Sequence, residues 1–229
     1  MLHVLFYSLS LVPMTDDSLK MPKMDMKDMN VGNAFQQFLG ILKLDKKVIE
    51  AVAKNQGGGP AAALFLLVGV ALGPISQAIF GIRVFNAVIR PDISSVLVSI
   101  VGGLVAALLG FLVTTLVANR LFKGKGSFAE YFRVAGLAYG LSVLTVLSTF
   151  LPGLAALVGI VVALWGLVVG YVVIKNVFHL DDTNTVLTII VTVVAIILIG
   201  AIVGSLGLAG GYGAGMSEMG SFDFSVTYE

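Results

Sequence analysis

Cysteine is absent from this 229-residue chain, so neither a disulfide nor a thiol nucleophile can belong to it. Histidine is almost absent: His3 and His179 lie far apart in sequence and offer no His-based metal pair. Charge is scarce too. Only 12% of residues are Asp, Glu, Lys or Arg, against roughly 25% in soluble domains, which leaves too little polar side chain to cover a water-facing surface. The net charge of +1 gives no electrostatic footprint for nucleic acid. Catalytic signatures are missing as well. There is no GxSxG, HExxH or Walker loop, and "GGGP" at 57–60 lacks the GK[ST] ending of a phosphate loop. No catalytic residue, metal site or cofactor is assigned, and the expectation is a protein that is not an enzyme.

What is present is apolar. Hydrophobic residues make up 58% of the chain and the mean hydropathy is +1.01. No charge occurs from Asn55 to Ile82, Ile93 to Asn119, Val134 to Ile174, or Thr183 to Ser217. A helix needs about 20 residues to cross about 30 Å of hydrocarbon. The long third interval is punctuated by Pro152-Gly153, so it divides into two. Five transmembrane helices are predicted, at about 60–82, 94–119, 130–150, 154–175 and 185–207. The fold class is therefore all-α, a polytopic membrane bundle.

Charge outside the spans sets the expected orientation. Of the 14 basic residues, only Arg83 and Arg90 fall on the side opposite the N-terminus. Basic loops favour the cytoplasm, which predicts a cell-membrane protein with its N-terminus inside and its C-terminus outside. "LFKGKGSFAEYFRVAGLAYG" (121–140) then lies at the inner face.

The ends differ in character. Residues 1–32 read as weakly structured; their apolar 1–13 stretch is too short to span, and their methionines lack His or Cys companions for a metal. Residues 33–56 place Phe35, Phe38, Leu39, Leu42, Val48, Ile49 and Val52 at helical spacing beside lysines, the pattern of an amphipathic interfacial helix, with interruptions foreseen at Gly40 or Leu44–Asp45. Residues 208–229 are glycine-rich and acidic and read as a flexible tail. Candidate contacts for protein or lipid on the inner face are Phe38, Lys43, Lys46, Lys47, Arg120, Lys123 and Lys125. Expected partners are membrane lipid and membrane or cytoplasmic proteins, with homo-oligomerisation open and nucleic acid excluded.

Within the spans, GxxxG pairs stand at Gly69/Gly73, Gly136/Gly140, Gly166/Gly170 and Gly200/Gly204, where bare backbones allow helices to approach closely. No ionisable group sits mid-membrane, the usual mark of ion paths and proton relays. Arg133 and Lys175 are near span ends, within snorkelling reach of the headgroups. Gly73-Pro74 could free a carbonyl near Gln77. Asp181–Asp182 reads as a helix cap and a partner for Lys175.

Three stretches in order carry a family resemblance: "FQQFLGILKLDKKVIEAVAKN", "GKGSFAEYFRVAGLAYGLSVL" and "LWGLVVGYVVIKNVFHLDDTNTVLTIIVTVV". Together they resemble the Yip domain family of small five-span membrane proteins over about residues 33–207, including a tryptophan at Trp165. The long acidic N-terminal domain and DLYGP-type motif of eukaryotic relatives do not occur in this sequence, so the resemblance runs to prokaryotic members. It implies a cytoplasmic N-terminus, a five-helix domain and a role organising membranes or their proteins. Eukaryotic relatives associate with small prenylated GTPases and with one another in vesicle traffic. The competing expectation is a small transporter or channel subunit acting as an oligomer. That reading requires Gln77, Thr114, Thr115, Ser142, Thr145 and Thr149 to converge on one water-lined path.

Overall fold

The structure, a computed structural model, describes residues 31–84, 87–150 and 154–205. The apolar and Met-rich parts of the N-terminal segment and the glycine-rich tail lie outside the described residues.

Two short helices precede the membrane helices: α1, Val31–Leu42, and α2, Lys46–Lys54. They separate where Leu44 adopts a left-handed φ of 61°. Asp45 restarts the helix by accepting a hydrogen bond from the Lys47 N–H at 2.9 Å, as an N-cap carboxylate does. α2 buries Ile49, Val52 and Ala53 and leaves Lys46, Lys47, Glu50 and Lys54 exposed.

Four helices among the described residues are long and apolar enough to cross a membrane. They are α3, Gly59–Phe80; α4, Ile93–Phe122; α7, Ala155–Phe178; and α8, Asp182–Ser205. Their ends fall close to the flanking charges, because a charged residue is the first that hydrocarbon rejects. Asp92 starts α4, with its Oδ1 accepting from the Ser95 N–H at 2.7 Å. Hydrogen bonds from the Ser95 hydroxyl and N–H, then from the Ser94 hydroxyl, hold this exposed carboxyl below its ordinary range. α3 and α4 are joined by an antiparallel hairpin of β1, Ile82–Val84, and β2, Ala87–Ile89, with Ile82 opposite Ile89. The sequence reading contained no such hairpin.

The segment predicted as the third span is a chain of three pieces. α5 covers Phe128–Ala138, a 3-10 stretch covers Tyr139–Val146, and α6 covers Leu147–Phe150. Its start is firmly fixed by a capping box: Glu130 N–H donates to the Ser127 hydroxyl at 3.2 Å, and Ser127 N–H donates back to Glu130 Oε2 at 2.7 Å. The α-helix ends where hydroxyls take over the backbone. Ser142 donates to Tyr139 O at 2.7 Å and Thr145 to Ser142 O at 2.5 Å, both three residues back. Such bonds bend helices, and β-branched Val143, Thr145 and Val146 weaken this turn further.

The broken segment lies parallel to α3 along the whole of that helix. Arg133 is beside Gly58, Gly136 beside Ala62, Tyr139 and Ser142 beside Gly69, and Phe150 beside Phe80. α3 rises about 33 Å over its length. From Arg133 to Phe150 the segment matches that height with fewer residues, because a 3-10 turn climbs about 2 Å per residue, against about 1.5 Å in an α-helix.

The buried core sits at the loop end. Ile49, Val52, Ala62, Phe128, Val134, Leu137, Val173 and Phe178 form it, drawn from α2, α3, α5 and the last turns of α7. Farther along, α4, α7 and α8 expose much of their apolar surface, including Val101, Leu164 and Ile197. Hydrocarbon, not water, is the solvent that tolerates this.

Candidate functional site

The loop end gathers most of the described basic residues on one face, through three pieces of local structure. The first is the 123–127 loop. Lys123 is left-handed at φ 57°. Gly124 N–H donates to Ala118 O at 2.9 Å, and Lys125 N–H donates to Phe178 O at 3.0 Å. Asn119 Nδ2 donates to Gly126 O at 2.8 Å. Gly126 has no alternative, since a Cβ there would stand 2.5 Å from Val177 O. The loop is thus stitched to both α4 and α7, and it projects Lys123 and Lys125 into the open.

The second piece is α2, which lies across α5 and α7. Arg133 fastens it. The residue is only 6% exposed. Nε donates to Ala53 O at 3.0 Å, and Nη2 donates to the same carbonyl. Arg133 therefore does not snorkel to the headgroups; it turns inward, where the last turn of α2 offers a free carbonyl. The third piece is the α7–α8 turn. Asp181 Oδ1 accepts from Asn184 N–H at 2.7 Å and so caps α8. Asp182 accepts from both Lys175 Nζ and the Tyr171 hydroxyl. α2 packs on α7, the helix that leads into this turn.

Lys43, Lys46, Lys47, Lys123 and Lys125 are exposed on this end, and Arg120 is half-buried. Phe38 stands elsewhere, packed 5.4 Å from the Phe65 ring and against Gly140. Exposed cations gathered at one end of the bundle attract anionic or acidic partners. Among the described residues no three His, Cys, Asp or Glu side chains come together in a group that could hold a metal ion.

The described intramembrane hydroxyls of Thr114, Thr115 and Ser142 are turned onto backbone carbonyls, as is usual for hydroxyls in helices. Thr114 donates to Gly110 O at 2.8 Å, Thr115 to Phe111 O at 2.9 Å, and Ser142 to Gly69 O at 2.8 Å. Gln77 is exposed on the outer surface of α3, and the Thr149 side chain lies outside the described residues. The Ser76 hydroxyl donates to Gly73 O at 2.8 Å, while the carbonyl that loses its usual donor at Pro74 is that of Val70, four residues back.

The glycine pairs have different surroundings. A Cβ at Gly69 would meet Tyr139 O at 2.6 Å, one at Gly136 would meet Ala62 O at 2.9 Å, and one at Gly140 would meet the Phe65 ring at 2.8 Å. At Gly166 the nearest atom is 3.9 Å away, and at Gly73, Gly170 and Gly200 nothing lies within 4 Å. Gly204 belongs to the last turn of α8. Sequence reasoning missed the role of Arg133; its one available signal was a lone cation following a capping box by a single helical turn.

Comparison with known proteins gives one match. No curated protein and no solved structure matches the chain. A sequence model described as the Yip1 domain matches residues 40–204.

Proposed function

The chain belongs to the Yip1 domain family, a family of membrane proteins that are generally non-enzymatic, and on that premise we propose that it is a scaffold of prokaryotic type. It crosses the cell membrane five times and organises membrane proteins or lipids through the basic face. The observation that carries this reading is the way that face is built. Lys123 and Lys125 stand on a loop bonded to Phe178 O and Ala118 O, and α2 is locked down by Arg133. A loop needed only for topology does not require such fixing; a docking surface gains from it, because a backbone already held in place loses less freedom on binding. The fifth crossing is assigned to the broken segment, whose parallel course along α3 supports it. Orientation follows from the basic end, which favours the cytoplasm.

Photoreactive residues at Lys47 and Lys125, activated in the native membrane, test the reading. The expected result is one reproducible protein partner that disappears when Lys46, Lys47, Lys123 and Lys125 are neutralised. Capture of lipid alone at both positions would overturn the organising of membrane proteins and leave lipid contact as the role of the face; capture of neither would overturn the reading and leave the lysines as topology anchors.

A further inference from the structure

Below the basic face, the chain leaves a groove of about 520 Å³ that no described segment fills. One wall is α1, with Phe35, Leu39 and Leu42; the other is α3 and the 3-10 stretch, with Val68, Val143 and Leu144. Its volume falls within the range of small-molecule sites, about 300–1,000 Å³. Phe38 closes the inner side by stacking on Phe65 and lying on the bare backbone of Gly140, 3.1 Å from where a Cβ would be. The groove exists because two features coincide: α1 is braced away from α3 by this aromatic pair, and the 3-10 stretch departs from the line an α-helix would take.

Its two ends differ. Phe35 and Leu39 are 52% and 38% exposed and lie one helical turn apart on one face of α1. Lys43 N–H donates to Leu39 O at 3.0 Å, so helical geometry continues and Lys43, which is exposed, follows Leu39 by one further turn along the same row. The result is an apolar slot whose α1 row runs on to an exposed cation, next to the exposed lysines of α2. The slot opens onto the lipid-facing side of α3, where Leu67 and Val68 are exposed. The material bordering that opening in a membrane is acyl chain.

We propose that this groove holds an acyl chain of an anionic phospholipid, with Lys43 engaging its phosphate. The order of chemistry along the slot matches that of the lipid: long apolar contact first, then a charge of opposite sign at headgroup level. Lys46 and Lys47 add to the attraction from the next helix, and Glu50 is the only exposed carboxylate on α2 to oppose it. The proposal rests on the membrane setting of the family, not on the basic face binding a protein, so either can fail alone.

The test uses the full chain reconstituted in vesicles of equal parts phosphatidylglycerol and phosphatidylcholine. Either lipid is doped with an analogue carrying a photoreactive group in its acyl chain. Labelled residues are mapped by mass spectrometry, with exposed Val101 and Val105 of α4 as the reference for ordinary lipid contact. The phosphatidylglycerol probe is expected to label Phe38, Leu39 or Leu144 above that reference, and the phosphatidylcholine probe is not. Lys43→Gln should abolish the difference between probes. Val68→Trp should fill the groove and remove its label while leaving α4 labelled. Should that variant not fold, Leu144→Trp fills the slot from the other wall. Groove labelling equal for both probes, labelling indifferent to both tryptophans, or no groove label beside a labelled α4 would each overturn the proposal.

Discussion

Replacing Gly69 with alanine should destabilise the fold, whereas the same change at Gly170 should not. A Cβ at Gly69 would stand 2.6 Å from both Ser142 Oγ and Tyr139 O, and 3.2 Å from Tyr139 C. The hydroxyl can rotate away, but the carbonyl is backbone, so α3 and the 3-10 stretch would have to separate. Overpacking of this kind costs about 1–3 kcal/mol. Separation also stretches the Ser142-to-Gly69 hydrogen bond, 2.8 Å long, of a type that contributes about 0.6 kcal/mol between membrane helices. Alanine returns about 1 kcal/mol through helix propensity. At Gly170 only that last contribution operates, since nothing lies within 4 Å of its Cβ position. The propensity gain is common to both, so the two variants should differ by about 1.5–3.5 kcal/mol, with Gly69→Ala the weaker. Titration from mild detergent into sodium dodecyl sulfate, followed by far-ultraviolet circular dichroism, reads this difference. Equal midpoints would refute the close parallel docking of the broken segment on α3.

Arg133→Lys should cost about 1–3 kcal/mol despite keeping the charge, because an ammonium cannot present the guanidinium fork to Ala53 O; faster tryptic cleavage at Lys46, Lys47 and Lys54 would report the loosened α2. Ser127→Ala removes half of the capping box and should cost about 1 kcal/mol in the same detergent titration. His179→Gly should stabilise by roughly 0.5–1 kcal/mol, since a left-handed residue strains any side chain bearing a Cβ, and His179 has φ 54°. Asp92 should give the start of α4 an acid dependence. Its carboxyl is held below the usual range by Ser95 and Ser94, so its contribution is present above the ordinary carboxyl value and disappears as pH falls through the lowered one. Hydrogen exchange at residues 93–96 checks this, and Asp92→Asn should remove the dependence.

Much of the fold was legible because charge in this chain is punctuation. Lys54 and Arg83 bracket α3, Asp92 and Arg120 fall at the ends of α4, and Asp182 begins α8, all visible in the sequence. The break at Tyr139–Val146 was not legible. Hydropathy cannot separate an α-helix from a 3-10 stretch, and Ser142 and Thr145 read equally well as ordinary hydroxyls bonded four residues back. What decided their behaviour was the neighbouring Gly69 carbonyl, a contact across 73 positions that no local pattern records. The basic face was legible as a set of lysines on one side. Its rigidity was not, because it depends on Arg133 reaching Ala53 O and on Lys125 reaching Phe178 O. The hairpin after α3 escaped notice because its strands have only three residues each.

Sidedness is the most direct test of the account. The absence of cysteine makes every introduced thiol unique. Single variants Lys47→Cys, Lys125→Cys, Asp92→Cys and Leu154→Cys, each at an exposed position, would be treated with a membrane-impermeant maleimide on intact cells and on inverted vesicles. Five crossings with the basic end inside predict that Asp92→Cys and Leu154→Cys react only from outside, and Lys47→Cys and Lys125→Cys only from the cytoplasm. Leu154→Cys reacting from the same side as Lys125→Cys would mean that the broken segment turns back within the membrane, and would contradict the five-crossing scaffold.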